Sequence, residues 1–368
     1  MRIDIISGAR PNFIKIAPIV DAIAYYSGLG ANISYRLIHT GQHYDKEMSE
    51  TFFTQLGIPE PHFNLGAGGG SQAEQTSAIM IGYERLLLED GFSDLCLVVG
   101  DVTSTMACSI VAKKMNIKVA HVEAGIRSGD WTMPEEVNRV ITDSITDYFF
   151  TTSHTANQNL VSQGVPSSSI FFVGNTMIDS LNKFRSKFQK PLFWDERKLE
   201  KGNYLLLTIH RPSNVDDQQR MKEYLEVILE NSSDLQIVFP VHPRSAKVIA
   251  QLGINDERLF YTTPLGYLEF NYLAENAKIV ITDSGGVTEE TTVMGVPCIT
   301  LRDNTERPET VTEGTNELAG TKPQSIKPFL VKLFSGEWKK GSVPELWDGQ
   351  TSKRIIQALL SIFNHDDK

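Results

Sequence analysis

Carboxylates at the ends of apolar runs carry the first chemical signal in this chain. Leu95-Cys-Leu-Val-Val runs into Gly100-Asp101, and Lys118-Val-Ala-His-Val runs into Glu123-Ala-Gly. An Asx residue after a strand often caps the next helix, so Asp101 ahead of Thr103 fits a capping role as well as a catalytic one. Glu123 resists that explanation, because Glu is a poor turn former and the strand before it reads as buried. Thr132-Met-Pro-Glu135 opens the following helix, where Thr132 and Glu135 match a capping box, a complete structural account of Glu135. Three carboxylates at neighbouring loop positions would nevertheless shift one another's proton affinity and divide into acid and base. That is the equipment for taking a proton off and putting it back.

Other segments suit an anion. Gly8-Ala-Arg10-Pro-Asn-Phe-Ile-Lys15 joins a glycine turn, a helix N-terminus and two cations. A surface Arg and a snorkelling Lys are the competing reading. Lys278-Ile-Val-Ile-Thr leads into Asp283-Ser284-Gly285-Gly286 and then a helix bearing Glu289 and Glu290. Those glycines would let backbone N–H groups approach a diphosphate, with Glu290 accepting from ribose hydroxyls. An ordinary Ser N-cap explains the same pattern. His210-Arg211 follows the run Tyr204 to Thr208, where it suits diphosphate contact or proton transfer, and His242 follows Gln236 to Pro240. Arg307 lies in a charged loop from which it could reach an anion at the Ser-Gly-Gly turn, and a solvated salt-bridge loop is the alternative. Gly66-Ala-Gly-Gly-Gly-Ser71 lacks dinucleotide-binding spacing and reads as a flexible loop. No Walker A segment, His-Glu-x-x-His helix, Asp-x-Asp clamp or paired Cys motif stands in the sequence, so no cofactor or metal is expected.

Short apolar runs alternating with longer segments of helical period must position these residues, which is the pattern of parallel sheets covered by helices on both faces. Ile3–Ile6, Tyr35–His39, Leu95–Val99, Lys118–Val122 and Tyr148–Thr151 read as one set of buried strands. A second set runs Ile170–Val173, Tyr204–Thr208, Gln236–Pro240, Leu259–Tyr261, Lys278–Thr282 and Cys298–Leu301. The sequence therefore predicts an α/β protein of two doubly wound, Rossmann-like domains, 1–170 and 171–350, with a final helix from Thr351 and ligand groups at the strand exits.

Composition bounds the partners. The 368 residues suffice for two domains, and 41% hydrophobic with 22% charged residues is globular. A formal charge of −10 with no basic run speaks against nucleic acid and anionic membrane. Cys96, Cys108 and Cys298 are scattered and read as core residues in a reducing compartment. No apolar stretch approaches the ~20 residues that cross a bilayer, and Asp4 interrupts the first apolar run, so neither span nor signal peptide is expected and the predicted location is cytoplasmic.

Taken in order, Gly8-Ala-Arg-Pro-Asn-Phe-Ile-Lys15, Thr40-Gly-Gln-His43, Gly100-Asp101, His121-Val-Glu-Ala-Gly-Ile-Arg127, Pro134-Glu-Glu-Val-Asn-Arg139, Gly174-Asn-Thr-Met-Ile-Asp179, His210-Arg211, Thr282-Asp-Ser-Gly-Gly-Val-Thr-Glu-Glu290 and Arg302-Asp-Asn-Thr-Glu-Arg-Pro-Glu309 resemble the non-hydrolysing UDP-N-acetylglucosamine 2-epimerases. The resemblance implies the GT-B fold, with the active site in the cleft between two domains and the C-terminal helix 351–368 returning to the first. It implies reversible interconversion of UDP-GlcNAc and UDP-ManNAc, for polysaccharide precursors, through C2 proton removal, loss of UDP, a bound 2-acetamidoglucal and re-addition. On that resemblance Asp101, Glu123 and Glu135 are acid and base, and His210 acts beside the departing diphosphate. Arg10 and Lys15 bind the anion, while Ser284, Gly285, Gly286, Glu290 and Arg307 contact UDP and Phe270 lies near uracil. A homodimer without cofactor or metal is also implied.

The chain departs from the family in three places. Leu265 stands where Gln is usual, Ser213 where Glu is usual, and the segment after Gln42-His43 is slightly longer than in members activated by UDP-GlcNAc. Sibling enzymes for uronic acid or 6-deoxy UDP-2-acetamido sugars, a hydrolysing epimerase, a GT-B glycosyltransferase and a non-catalytic nucleotide-sugar sensor are the alternative readings.

Overall fold

The computed structural model describes residues 1–8, 10–41, 57–215, 217–241, 246, 249 and 251–366, with the side chains of 10, 11, 212, 213 and 364–366 outside that description. The chain forms two units. One comprises Met1–Lys183 with Glu345–Lys368, the other Phe184–Pro344.

The first unit is built on seven strands: β1 (Arg2–Ser7), β2 (Ser34–His39), β3 (Phe63–Asn64), β4 (Leu95–Val99), β5 (Lys118–Val122), β6 (Tyr148–Thr151) and β7 (Ile170–Phe172). They pair in parallel in the order β3-β2-β1-β4-β5-β6-β7. Runs such as Leu95–Val99 are buried along their whole length, as a parallel sheet with both faces covered requires. The order reverses at β1, whose neighbours are β2 and β4, so a crevice opens beyond the carboxyl ends of β1 and β4.

The run Ile170–Val173, expected to begin the second domain, is corrected by this pairing. Phe149↔Ile170 and Thr151↔Phe172 register β7 onto β6, and the edge of the first sheet is completed there. Apolar content alone could not say which sheet would accept the strand. The helix Thr176–Phe184 follows within a few residues and ties the first unit together. Pro18, inside the helix Arg10–Gly28, cannot donate to the carbonyl of Ile14, and the Ser180 hydroxyl donates to it instead. The Asp179 carboxylate accepts from the N–H groups of Thr351 (3.0 Å) and Ser352 (2.7 Å), capping the helix Thr351–Asp366. Burial raises the pKa of Asp179 against the opposing effect of those two donors.

The Gly66–Ser71 segment is a loop whose first residues lie against Thr40 and Gly41. Ala67 N–H donates to Thr40 O (2.8 Å), and a Cβ placed on Gly68 would stand 2.5 Å from Gly41 O. Glycine is needed here for close backbone approach. Ser71 and Glu74 then form a capping box that starts the helix Gln72–Asp90.

The second unit carries β8 (Tyr204–Thr208), β9 (Gln236–Pro240), β10 (Leu259–Thr262), β11 (Ile279–Thr282), β12 (Cys298–Thr300) and β13 (Asn316–Leu318) in the parallel order β10-β9-β8-β11-β12-β13. Its reversal lies between β8 and β11. Leu205, Leu207, Ile237, Phe239, Ile279, Ile281 and Ile299 pack one face of this sheet; Leu206, Val238 and Val280 pack the other with Trp194 and Leu273. Each sheet is thus a core in its own right. Among the described residues no helix is long and apolar enough to cross a membrane.

Candidate active site

In the first unit the exits of β4 and β5 lie side by side, because the strands are paired from Leu95↔Lys118 to Val99↔Val122. Gly100 turns the chain with φ 71°; its N–H donates to Val122 O (3.0 Å). The neighbouring Asp101 does not cap the helix Thr103–Lys114, whose N-cap is Val102 with no side-chain bond. Its carboxylate pairs with Arg139 Nη2, and its carbonyl accepts from Asn138 Nδ2 at 2.9 Å. One third of the Asp101 side chain stays accessible.

Glu123 sits in the left-handed region, φ 71°, uncommon for a residue with a side chain. Its N–H donates to Phe150 O (2.9 Å), and its almost fully buried carboxylate takes Lys15 Nζ at 2.7 Å. Lys15, read as half of an anion-binding pair, therefore has Glu123 as a partner. Asn12, three residues earlier on the same helix, donates to Val99 O at 2.8 Å and fixes that helix to the β4 exit. Arg10 belongs to the same corner, but its side chain lies outside the described residues, as do Gln42, His43 and His242.

The proposed capping box at Glu135 is corrected. The N-cap of the helix Pro134–Ile145 is Met133, without a side-chain bond, while Thr132 donates from both its N–H and its hydroxyl to Asp130. Pro134 at the first helical position supplies the start signal in place of the box. Glu135 is exposed on the first turn, so the structural explanation offered for it falls away. Its neighbour Glu136 is the buried one. It accepts from the Ser128 N–H and hydroxyl (2.9 Å each), the Gly129 N–H (3.0 Å) and Arg139 (2.7 Å). Burial pushes its pKa up, and these donors outweigh that and hold it below the usual carboxylate range.

In the second unit the exits of β8 and β11 meet at the sheet's reversal. Asp283 is fully buried and organises them: its carboxylate accepts from the N–H of His210 (3.1 Å to each oxygen), the N–H of Arg211 (2.9 Å) and Asn214 Nδ2 (3.0 Å), and lies 2.8 Å from His210 Nδ1. Burial raises its pKa, but His210, Arg211 and Asn214 outweigh burial and the net shift is downward. The His210 side chain itself is more than half exposed, oriented by Asp283 and open to a ligand. This His–Asp contact was not read from the sequence, although a carboxylate directly after a buried strand was a signal for it.

Ser284 is the N-cap of the helix Gly285–Met294 but makes no side-chain cap, so the ordinary-cap explanation is not realised. Ser284, Gly285 and Gly286 are half-buried, at a helix start whose first N–H groups lack helical partners. Along that helix Glu290 is buried, with Asn271 Nδ2 3.4 Å away and Tyr267 facing it, both on the helix Tyr267–Asn276. Burial pushes its carboxyl up to about 7, and nearby Glu289 adds to the rise. Phe270, on the same helix, is half-buried against Leu273, Val280 and their neighbours, and Leu265 packs with them. Arg307 is not in a solvated loop: it is buried and paired with Glu289, and Arg302 pairs with Glu306 at 2.9 Å close by. Among the described residues no cluster of three or more His, Cys, Asp or Glu is placed to hold a metal ion.

Residues 29–360 match the family model described as UDP-N-acetylglucosamine 2-epimerase. A Methanocaldococcus jannaschii protein named UDP-N-acetylglucosamine 2-epimerase is 40% identical, over 98% of this chain and 99% of its own length. A Pseudomonas aeruginosa protein named UDP-2,3-diacetamido-2,3-dideoxy-D-glucuronate 2-epimerase is 38% identical, over 98% of this chain and 100% of its own. The crystal structure of the M. jannaschii UDP-GlcNAc 2-epimerase in complex with UDP-GlcNAc and UDP superposes with a TM-score of 0.84 at 39% identity, covering 98% of this chain and 100% of that one.

Proposed function

The chain belongs to the UDP-N-acetylglucosamine 2-epimerase family, and from that premise we propose that it interconverts UDP-GlcNAc and UDP-ManNAc without releasing the sugar. One carboxylate among Asp101, Glu123 and Glu135 removes the C2 proton; the C1–O bond to the diphosphate breaks, and UDP departs to leave 2-acetamidoglucal. A second carboxylate then delivers a proton to the opposite face of C2 as a UDP oxygen re-forms the bond at C1. Atoms and charge balance, and the reaction is redox-neutral overall.

The observation that carries this reading is the pair of clamped turns at the exits of β4 and β5, each presenting a carboxylate with its own cation, Arg139 for Asp101 and Lys15 for Glu123. Two acid–base groups held at fixed positions are what proton removal from one face and return to the other require. In the second unit, His210 and the Ser284–Gly286 turn supply donors for the diphosphate, Glu290 accepts from the ribose and Phe270 packs on the base. Arg10 and Arg307 would add charge to that anion; Arg307 must then leave Glu289 or be shared with it. A cytoplasmic homodimer completes the proposal.

Proton NMR of the protein with UDP-GlcNAc in deuterium oxide tests it. Deuterium at C2 and a mixture of the two UDP-sugars is the expected result; accumulation of free UDP would point to hydrolysis, and a fully protonated C2 would remove this substrate. The 38% identity to the diacetamido-glucuronate enzyme makes that sugar the second substrate to offer. Asp101→Asn and Glu123→Gln should each lower exchange by about 10²–10⁴-fold while leaving UDP binding within threefold of wild type.

A further inference from the structure

Asp143 and His121 are buried polar residues that the mechanism does not use. Asp143, on the helix Pro134–Ile145, is buried, and its two oxygens face different turns. Oδ1 lies 2.7 Å from His121 Nδ1, and His121 Nε2 lies 2.8 Å from Gly100 O. Oδ2 accepts from Gly125 N–H at 3.1 Å and pairs with Arg127 at 2.7 Å. A carbonyl oxygen can only accept, so Nε2 carries hydrogen and donates to it. Burial would raise the Asp143 carboxyl, but His121 and Arg127 outweigh burial and the net shift is downward. His121 itself is fully buried between the apolar Ala120 and Val122, at a position where a hydrophobic residue would serve the core better.

We propose that Asp143 and His121 are positioning residues that set the spacing between the Gly100–Asp101 turn and the Glu123–Gly125 turn, and so between two of the carboxylates assigned to proton transfer. Asp143 reaches Gly125 directly and Gly100 through the imidazole, so one carboxylate ties both turns to one helix. That same helix supplies Arg139 and Asn138 to Asp101 and Glu136 to the Ser128–Gly129 backbone. Neither Asp143 nor His121 touches the substrate in this reading. Their effect is on where proton donors stand, and a displacement of about 1 Å there can cost 10²-fold in rate.

The inference rests on the epimerase proposal, and the test separates the two. In deuterium oxide, the rate of C2 exchange is compared with the rate of epimer formation for wild type, H121N, H121F and H121Q. The Gln amide reaches the Nε2 position and can keep the bond to Gly100. Asn reaches only the Nδ1 position, and Phe donates nothing. Displacing one carboxylate more than the other lets a proton leave and return on the same face. H121N and H121F are therefore expected to show an exchange-to-epimerisation ratio raised about tenfold or more with kcat down about 10²-fold, and H121Q to stay within threefold of wild type. A partly unfolded variant loses both rates together and leaves the ratio unchanged, and two variants that lack the bond to Gly100 guard against one failing to fold. Wild-type exchange with an unchanged ratio in both H121N and H121F overturns the positioning role. Absence of any C2 exchange in the wild type on either UDP-sugar overturns the epimerase reading instead.

Discussion

Replacing Glu290 by Gln should make the second unit more stable and a worse nucleotide binder at the same time. The hydrogen-bonding partners of the buried carboxyl among the described residues, Asn271 at 3.4 Å and Tyr267, are neutral, and Glu289 raises it further. Burial accordingly moves its pKa up from an ordinary 4.5 to about 7. The sign follows from linkage. Below about pH 4 the carboxyl is protonated in both folded and unfolded chains and contributes nothing. Between about pH 4 and 7 the unfolded chain ionises and the folded one does not, so stability falls as pH rises, and above 7 the deficit is full. Its size is roughly 3 kcal/mol. Glutamine keeps the shape and the Asn271 contact without the titration. Urea unfolding should therefore give wild type and E290Q equal midpoints near pH 4.5 and a gap at pH 8 of about 1 M in favour of E290Q. UDP titration should show E290Q binding 10- to 100-fold more weakly, the cost of losing a charged acceptor for the ribose hydroxyls. A stability gap that does not grow between the two pH values would refute the reasoning, whatever happens to UDP.

Three further outcomes follow from the same geometry. Asp283→Asn turns an acceptor of four contacts into a group that is half donor, and should cost about 2–4 kcal/mol and loosen UDP binding through His210; because the Asp283 pKa is lowered, the thermal-shift deficit at pH 7 should shrink only below about pH 4. Gly100→Ala places a Cβ at φ 71°, between Lys15 Nζ (3.6 Å) and Glu123 Oε2 (3.8 Å); a loss of about 1–2 kcal/mol, read by urea unfolding, and a fall in kcat with KM unchanged, read by steady-state kinetics, are expected. Ser180→Ala leaves Ile14 O without the donor that replaces the one Pro18 lacks, which should cost about 1–2 kcal/mol and raise hydrogen exchange locally in the helix Arg10–Gly28.

Much of this protein is legible without coordinates, and the reason lies in the period of its elements. Fully buried parallel strands must be continuous apolar runs, so Leu95–Val99 and Tyr204–Thr208 announce themselves. Residues such as Asp101, Glu123, His210 and Asp283 then fall at strand exits by position alone. Short polar strands escaped: Phe63–Asn64 and Asn316–Leu318 carry Asn and Glu, so no apolar run marks them as Ile170–Phe172 and Cys298–Thr300 are marked.

The alternation of elements, the two-sheet class and the chemical types standing where strands end follow from local propensity and burial pattern, and these are written in the chain. Pairing lies beyond that local pattern. That Ile170–Phe172 closes the first sheet, that Thr132 turns to Asp130 and not to the helix, that Glu136 and not Glu135 is buried, and that Asp143 joins the Gly125 turn directly and the Gly100 turn through His121 are all contacts between segments distant in sequence or choices among adjacent donors. Their free energies depend on which acceptor is desolvated beside which donor, and only the packed tertiary structure decides that.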